Sequence, residues 1–176
     1  MQAESLEFAT HEDDRERCVS GKSDGYENGE RSDDRKKAMF EVVSQLGVPY
    51  ILMSQQPTIE AMLSEWADDV QQLRSMGAKD IILDPGFGFG KTLDNNYEVL
   101  SQLEQLLVME LPVLVGVSRK SMIYKLLGMT PQEALNGTTA LNTIALMKGA
   151  SILRVHDVRE AVECVKLYRQ CSLRLA

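Results

Sequence analysis

The sequence predicts an α/β fold in which parallel strands alternate with covering helices. Four short apolar runs recur along the chain, and their centres near positions 50, 82, 114 and 153 are spaced by about 32, 32 and 39 residues. Amphipathic helical patterns lie between these runs. Apolar strands that do not alternate with polar residues, and that are separated by helices, are typical of a parallel sheet with helices on its faces.

The first half of this pattern contains two strands and two helices. Apolar runs at 48–53 and 80–84 predict the strands. The helix predicted between them, over 57–76, carries apolar side chains at the spacing of one helical face: Ile59, Met62, Leu63, Trp66 and Val70. The next helix, over 93–108, is predicted to begin with Asp94 as its N-cap, since aspartate is a favoured cap residue.

The second half repeats the pattern. Strands are predicted over 112–117 and 151–155. Between them, a helical stretch at 119–128 is followed by a helix over 138–148, whose apolar face is formed by Leu141, Ile144 and Ala145. The last helix covers 157–171 and again has apolar residues at helical spacing: Val158, Ala161, Val162, Val165 and Tyr168.

A change in composition divides the chain into two parts. Residues 1–37 include 18 charged side chains and few apolar ones. We expect this segment to be mostly irregular or disordered, because ordering it would bury too little apolar surface to offset the lost entropy. Residues 38–176 are predicted to form the domain and hold about four βα units. Because a complete (β/α)₈ barrel takes about 250 residues, the domain is either a small open α/β sheet or half of such a barrel.

Charge and composition argue against several classes of protein. The 26 acidic residues outnumber the 19 lysines and arginines, and the net charge of −7 disfavours general nucleic-acid binding. No apolar run approaches the ~20 residues of a membrane span, and the N-terminus lacks the basic and apolar regions of a signal peptide. Cys164 and Cys171 lie on one predicted helix about 10 Å apart, too far for a disulfide, so we expect a cytoplasmic location.

Charged side chains collect after the predicted strands, where α/β folds place their functional residues. Asp84 ends the second strand, Lys120 follows the third, and Arg154 and His156 lie at the end of the fourth. The cations would give one opening a positive potential in an otherwise acidic protein, which suits a phosphate or diphosphate ligand. Asp84 is placed to accept hydrogen bonds from a ligand with N–H donors.

Single residues in this group also have ordinary structural interpretations. Arg119, near a helix start, is typical of solvated surface, and His156 alone could be a satisfied structural histidine. Asp157 is most simply the N-cap of the last helix. The functional hypothesis rests instead on the co-location of the four strand-end residues, which independent structural roles explain poorly.

The glycine-rich segment 86–92 fits neither common nucleotide motif. A Walker A motif needs a glycine five residues before Gly90, where the chain has Pro85. The pattern GxGxxG also fails, because Lys91 and Leu93 occupy the positions of its third glycine. A flexible βα loop with glycines in tight turns is the simpler interpretation.

Three segments, in order and at matching spacing, resemble the C-terminal motifs of the dihydropteroate synthase family, and the resemblance extends over about residues 38–173. They are LDPGFGFGKT (83–92), VGVSRKSMI (115–123) and RVHDV (154–158). The resemblance implies a TIM barrel of which this chain holds the C-terminal half. It also implies a transferase of folate biosynthesis that condenses p-aminobenzoate with dihydropterin pyrophosphate, assisted by Mg²⁺.

The resemblance further implies roles for eight residues by their positions in and around these motifs. The predicted pterin contacts are Asp84, Met53, Gly116, Lys120 and Arg154. Phe89 and Ser121 would line the p-aminobenzoate pocket, and Arg154 with His156 would hold the diphosphate. The catalytic set would be Lys120, Arg154 and His156.

The sequence also departs from the family. The family's first three strands, including an Asn that helps to hold Mg²⁺, have no counterpart here, so no metal ligand is assigned to this chain. Residues 17–21 (RCVSG) are the best match to the family's fourth-strand motif but lack its Asn and Asp. The alternative to a transferase is therefore a catalytically incomplete half-barrel that binds pterin or diphosphate, or works only with another half. Open sheet edges would favour such association, including a homodimer.

Overall fold

Five short strands and six α-helices alternate in the part of the chain that the structure describes, residues 19–21 and 29–172. The structure is a computed structural model. Its strands are β1 (Val19–Gly21), β2 (Tyr50–Met53), β3 (Ile81–Asp84), β4 (Leu114–Val115) and β5 (Ile152–Leu153). Its helices are α1 (Gly29–Leu46), α2 (Ile59–Ser75), α3 (Leu93–Ser101), α4 (Ser121–Leu127), α5 (Leu135–Met147) and α6 (Val158–Ser172). Two 3₁₀ segments, Leu103–Met109 and Pro131–Glu133, follow α3 and α4.

All five strands run parallel and lie side by side in the order of the sequence. β1 pairs with β2, and β2 pairs with β3 in a register that sets Met53 beside Asp84. β4 pairs with β5, and a bridge between Leu83 and Val113 joins the two groups of strands. Sequential parallel strands connected by helices form an arc of a (β/α) barrel. The predicted α/β class and partial barrel are therefore confirmed.

Two parts of the N-terminal segment, which is predicted to be mostly irregular, are regular elements in the structure. Residues 19–21 form β1, and residues 29–37 belong to α1, so the described fold has five strands rather than four. The rest of that segment, 1–18 and 22–28, lies outside the described residues.

Contacts with the rest of the fold explain why the composition of this segment misleads. β1 gains its hydrogen bonds from the backbone of β2, which does not depend on apolar side chains. On α1, the Lys36 ammonium lies 2.6 Å from the Asp69 carboxylate of α2. One turn further on, Phe40 is buried and meets Tyr50 edge-on, with 5.9 Å between ring centroids. These contacts join β1 and the part of α1 around Lys36 to the rest of the fold.

The boundaries of two predicted elements also change. Thr92 rather than Asp94 caps α3, because its hydroxyl accepts a hydrogen bond from the Asn95 N–H at 3.1 Å. β4 and β5 contain two residues each, fewer than their apolar runs suggest. The apolar character continues into buried residues beyond the strand, such as Val113 and Val117, so composition overestimates the length of the hydrogen-bonded ladder.

The helices cover one face of the sheet and leave the other face partly open. Alternate residues of β2 and β3 are buried in the same hydrophobic cluster as Trp66 of α2: Tyr50, Leu52, Ile81 and Leu83. The residues between them are only half-buried: Ile51, Met53, Ile82 and Asp84. The less covered face of the sheet therefore leads to the strand ends that carry the predicted site. No helix within residues 29–172 is long and apolar enough to cross a membrane.

Candidate active site

Asp84 ends β3 and is the carboxylate at the centre of the site. Its Oδ1 accepts a hydrogen bond from the Gly86 N–H at 2.8 Å, which fixes the side chain. Burial raises the pKa of this carboxyl, and the bond from Gly86 opposes the shift. Three cations oppose it as well: Lys120, Lys91 and Arg154. The carboxylate therefore faces a group of cations rather than a single ion-pair partner.

A glycine loop, residues 85–90, follows Asp84 and passes close to the end of β2. Gly86 has a φ of +63°, and a Cβ there would lie 2.3 Å from the Ser54 carbonyl oxygen. Only glycine fits this conformation and this close approach. The Gly88 N–H donates to Asn96 Oδ1 at 2.7 Å, which ties the loop to α3. The loop is thus anchored on both sides of the site.

Lys120 reaches from the start of α4 to the glycine loop. Its ammonium donates a hydrogen bond to the Phe87 carbonyl and lies 4.7 Å from the centre of the Phe89 ring. Burial lowers the pKa of Lys120, and the charge of Asp84 raises it. Lys120 thus lies near both Asp84 and Phe89, which are predicted for the pterin and p-aminobenzoate subsites. Those ligand roles stay predictions.

Lys91 belongs to the site, although sequence reasoning assigned it no role. Its ammonium donates to three backbone carbonyls, those of Ser54 at 3.3 Å, Gly86 at 3.3 Å and Phe89 at 3.4 Å. Burial lowers its pKa to about 8, and the charge of Asp84 acts in the opposite direction. In the sequence, Lys91 is recognisable only as the lysine at the end of the GFGFGK segment. Comparison of this segment with nucleotide-binding motifs does not reveal its role.

Arg154 and His156 follow β5, and both are exposed at the same end of the sheet. The Arg154 guanidinium is close enough to Asp84 and Lys120 to shift the pKa of each. His156 is held by Ser118: its backbone N–H donates to Ser118 Oγ at 3.2 Å, and its Nδ1 lies 3.1 Å from the same oxygen. The histidine is therefore both structurally satisfied and exposed toward the opening.

Arg119 and Asp157 pair with each other, and this corrects the interpretation of Arg119 as solvated surface. Arg119 Nε lies 2.8 Å from Asp157 Oδ2, and Nη2 lies 2.7 Å from Oδ1. Arg119 is thus a paired residue rather than solvated surface. Asp157 directly precedes α6, and its backbone carbonyl accepts the first bond of that helix, from the Ala161 N–H at 3.1 Å, while its carboxylate pairs with Arg119. The hydrogen bond from Arg119 lowers the pKa of Asp157.

The remaining predicted residues flank this cluster. Met53 is half-buried at the end of β2. Gly116 is buried, and a Cβ there would lie 3.7 Å from Arg154 Cβ, in ordinary contact. Ser121 begins α4 directly after the site lysine. All eight predicted site residues therefore lie in or just after the carboxyl ends of β2 to β5.

Comparison with known proteins gives a consistent result. The chain matches the family described as "Pterin binding enzyme" over residues 24–156. It is 40% identical over 143 residues to the dihydropteroate synthase of Escherichia coli K12, and this alignment covers 73% of this chain and 51% of that protein. The dihydropteroate synthase of Bacillus subtilis is 36% identical over 137 residues, which covers 73% and 48%. The chain thus spans about half the length of these curated relatives.

Solved structures agree with the sequence relatives. A dihydropteroate synthase from Yersinia pestis superposes with a TM-score of 0.76 at 34% identity, over 91% of this chain and 65% of that one. A dihydropteroate synthase from Coxiella burnetii, in complex with pteroic acid, has a TM-score of 0.70 at 34% identity, over 73% and 54%. Because sequence and fold match together over most of its length, the chain belongs to the family of pterin-binding enzymes, and its resemblance to dihydropteroate synthase is confirmed.

Proposed function

We propose that this chain carries the pterin-binding and diphosphate-binding part of a dihydropteroate synthase. The reaction is the condensation of p-aminobenzoate with dihydropterin pyrophosphate to dihydropteroate, a step of folate biosynthesis. The observation that carries the proposal is the convergence of Asp84 with Lys120 and Arg154 at one end of the sheet. The family relationship supports the same assignment.

The chemistry of these side chains suits the two parts of such a substrate. A carboxylate such as Asp84 accepts hydrogen bonds from the N–H groups of a pterin ring. The planar guanidinium of Arg154 is suited both to an aromatic face and to phosphate oxygens. His156 is exposed beside it and adds a second donor toward the diphosphate. One carboxylate and several cations at the same opening thus fit a ligand with a donor-rich ring and an anionic tail.

The departing diphosphate is the group that most needs stabilisation in this reaction. The amine nitrogen of p-aminobenzoate attacks the methylene carbon of the pterin, the carbon–oxygen bond to diphosphate breaks, and the amine loses a proton. Negative charge grows on the diphosphate during this step, and fixed cations stabilise the transition state most when they are already in place. Lys120 and Arg154 would supply that charge. Phe89 and Ser121 remain the proposed lining of the p-aminobenzoate pocket.

The expected Mg²⁺ finds no ligand set in the described residues. Residues 29–172 contain no group of three or more His, Cys, Asp or Glu side chains that could hold a metal ion. Asp84, the carboxylate of the site, is instead surrounded by cations, which disfavour a divalent metal beside it. The described residues of the site therefore do not fit Mg²⁺.

Partners and compartment follow from the same proposal. Its partners would be the two small-molecule substrates, and the acidic net charge argues against nucleic acid. Cys164 and Cys171 are free thiols, which supports a reducing, cytoplasmic location. The relatives are synthases, and this favours a transferase over a half-barrel without catalytic function.

Calorimetric titration of the chain with pteroic acid and with inorganic diphosphate tests the proposed site. We expect Arg154→Ala to weaken diphosphate binding and Lys120→Ala to weaken pteroic acid binding, each by about tenfold or more, since a hydrogen bond to a charged group contributes roughly 1.5–3 kcal/mol. The matched control is Lys125→Ala, which changes an exposed lysine in the last turn of α4. Equal affinities for the site variants and the control would refute the placement.

An assay for 7,8-dihydropteroate formation separates the transferase from the alternative. Turnover by the chain, lost in Arg154→Ala but retained in Lys125→Ala, would support the transferase. Tight binding of pteroic acid without turnover under saturating substrates and added Mg²⁺ would instead support the catalytically incomplete half-barrel.

A further inference from the structure

The backbone pairing between β4 and β5 is short. Leu114 lies beside Ile152 and Val115 beside Leu153, so partners differ by 38 in residue number. One further backbone bond, from Arg154 N–H to Val115 O at 2.9 Å, ends the ladder. The strands therefore stop before the loops that carry the predicted ligand groups.

Side chains continue this pairing beyond the strands with the same offset of 38 residues. Ser118 contacts His156 through its hydroxyl, at 3.2 Å to the backbone nitrogen and 3.1 Å to Nδ1. The next pair, Arg119 and Asp157, forms a two-bond ion pair at 2.8 and 2.7 Å. The register of the two strands is thus extended by two pairs of side-chain contacts into the loops.

Arg119 is held more firmly than a surface arginine. Its Nη1 donates to the carbonyls of Pro131 at 3.0 Å and Gln132 at 2.6 Å. Its backbone N–H donates to Thr138 Oγ1 at 3.0 Å. Its φ is +53°, a left-handed conformation that a residue with a Cβ adopts only when its surroundings impose it. Because these contacts fix the backbone of Arg119, they also fix the position from which the side chain of the next residue, Lys120, extends.

We propose that Arg119 and Asp157 are positioning residues that lock the loop after β4 to the loop after β5. This inference rests on the proposed function, because the lock matters for the groups next to it. Lys120 follows Arg119, and His156 precedes Asp157, so one ion pair sets the separation of two proposed ligand groups. A two-bond arginine–carboxylate pair fixes direction as well as distance, which a single contact would not do.

Two variants remove the lock without removing a proposed ligand group. Arg119→Lys keeps the charge but loses the planar two-bond geometry, and Asp157→Asn removes the negative charge. The matched controls are Arg159→Lys and Glu163→Gln, which alter an exposed ion pair of 3.1 Å on α6, the helix that follows Asp157. Asp157→Glu keeps the carboxylate and serves as the conservative rescue.

Hydrogen exchange provides a readout that needs no ligand. We expect the exchange of the His156 amide, which donates to Ser118 Oγ, to become at least tenfold faster in Arg119→Lys and Asp157→Asn. The Leu83 amide, bonded to Pro112 O at 2.9 Å between β3 and β4, should exchange as in the original chain. Asp157→Glu should recover part of the protection. Unchanged exchange at His156 in a folded variant would overturn the proposal.

Titration with inorganic diphosphate tests the functional consequence. We expect at least tenfold weaker binding in both variants and no change in the two controls. The double variant Arg119→Lys/Asp157→Asn should bind no more weakly than the worse single variant, because both changes break one contact. Additive losses, or faster His156 exchange with unchanged diphosphate affinity, would show that the pair does not position the ligand groups. If the original chain does not bind diphosphate, the proposed function fails there, and exchange at His156 still decides whether the lock exists.

Discussion

Lys91 shows how burial and charge compete in this site. Its ammonium lies among the carbonyl oxygens of Ser54, Gly86 and Phe89, which replace part of the water that it loses. Desolvation still prevails over the attraction of Asp84, and its pKa falls to about 8. A lysine with this pKa changes charge close to neutral pH, so the electrostatics of the whole opening depend on it.

The stability of the chain should depend on pH through Lys91. Its pKa is about 8 in the folded chain, below the ordinary value of 10.5. Between these two values the unfolded chain binds more protons than the folded chain, so the free energy of unfolding rises as pH increases. Lys91→Met has no such group, and the stability of the original chain relative to this variant should increase from pH 8 to about 10.

Urea unfolding at several pH values measures this difference. Lys79→Met, at an exposed lysine just before β3, is the control and should show no comparable trend. A constant difference between the original chain and Lys91→Met across this range would contradict the burial of the Lys91 ammonium.

Single residues also show what the sequence reveals and what it leaves hidden. Asp84, Lys120, Arg154 and His156 were recognisable because they follow apolar strands. The partner of Asp157 was not recognisable, because Arg119 lies 38 residues away and meets it only through the register of two strands. Residue types and local spacing therefore identify the charges of the site, whereas the pairing of those charges depends on the fold.

At the scale of elements, local pattern succeeds where an element carries its own apolar face. The helix predicted over 57–76 is observed as α2 (Ile59–Ser75), with Trp66 fully buried on the predicted face. It fails at α1, whose first nine residues are mostly polar and charged. Within those residues, Lys36 pairs with Asp69 of α2, and a count of apolar residues cannot detect such a contact.

The docking of α1 on α2 can be tested at Lys36. Its ammonium lies 2.6 Å from the Asp69 carboxylate, which is largely buried. We expect Lys36→Met to lower the free energy of unfolding by about 1–2 kcal/mol, because a buried carboxylate loses its partner. Lys37→Met, at the exposed neighbouring residue, should have little effect.

A second substitution gives the reciprocal test. In Lys36→Met/Asp69→Asn the unpaired charge is removed, and most of the lost stability should return. Equal stability of Lys36→Met and Lys37→Met in urea would mean that this ion pair does not anchor α1.

For the molecule as a whole, the net charge of the chain is negative, whereas cations outnumber carboxylates at the site. The chain has a net charge of −7. The strand ends nevertheless gather Lys91, Lys120 and Arg154 around a single carboxylate, Asp84. Such a local field attracts an anionic ligand to one opening while the acidic remainder repels other polyanions. The average composition alone therefore does not reveal the local charge of the site.

The sheet of five strands also has two outer edges. Within the described residues, β1 pairs only with β2, and β5 pairs only with β4. A (β/α)₈ barrel closes with eight strands, so the arc offers two edges to further strands. Pairing with three βα units of a relative, or with a second copy of this chain, would satisfy them.

Three further βα units should close the five-stranded arc into a barrel and complete the site. We expect a fragment with the first three βα units of the Escherichia coli relative to raise the affinity of this chain for pteroic acid by tenfold or more. At β5, the Ile152 and Arg154 amides donate to the Val113 and Val115 carbonyls, so the Leu153 N–H between them is directed to the outer edge. Leu153→Pro removes that donor while the bonds to the Val113 and Val115 carbonyls remain, and it should abolish the gain. The conservative Leu153→Val is the control. Calorimetry with and without the fragment measures the effect, and an equal gain in Leu153→Pro and Leu153→Val would show that the fragment does not add at this edge.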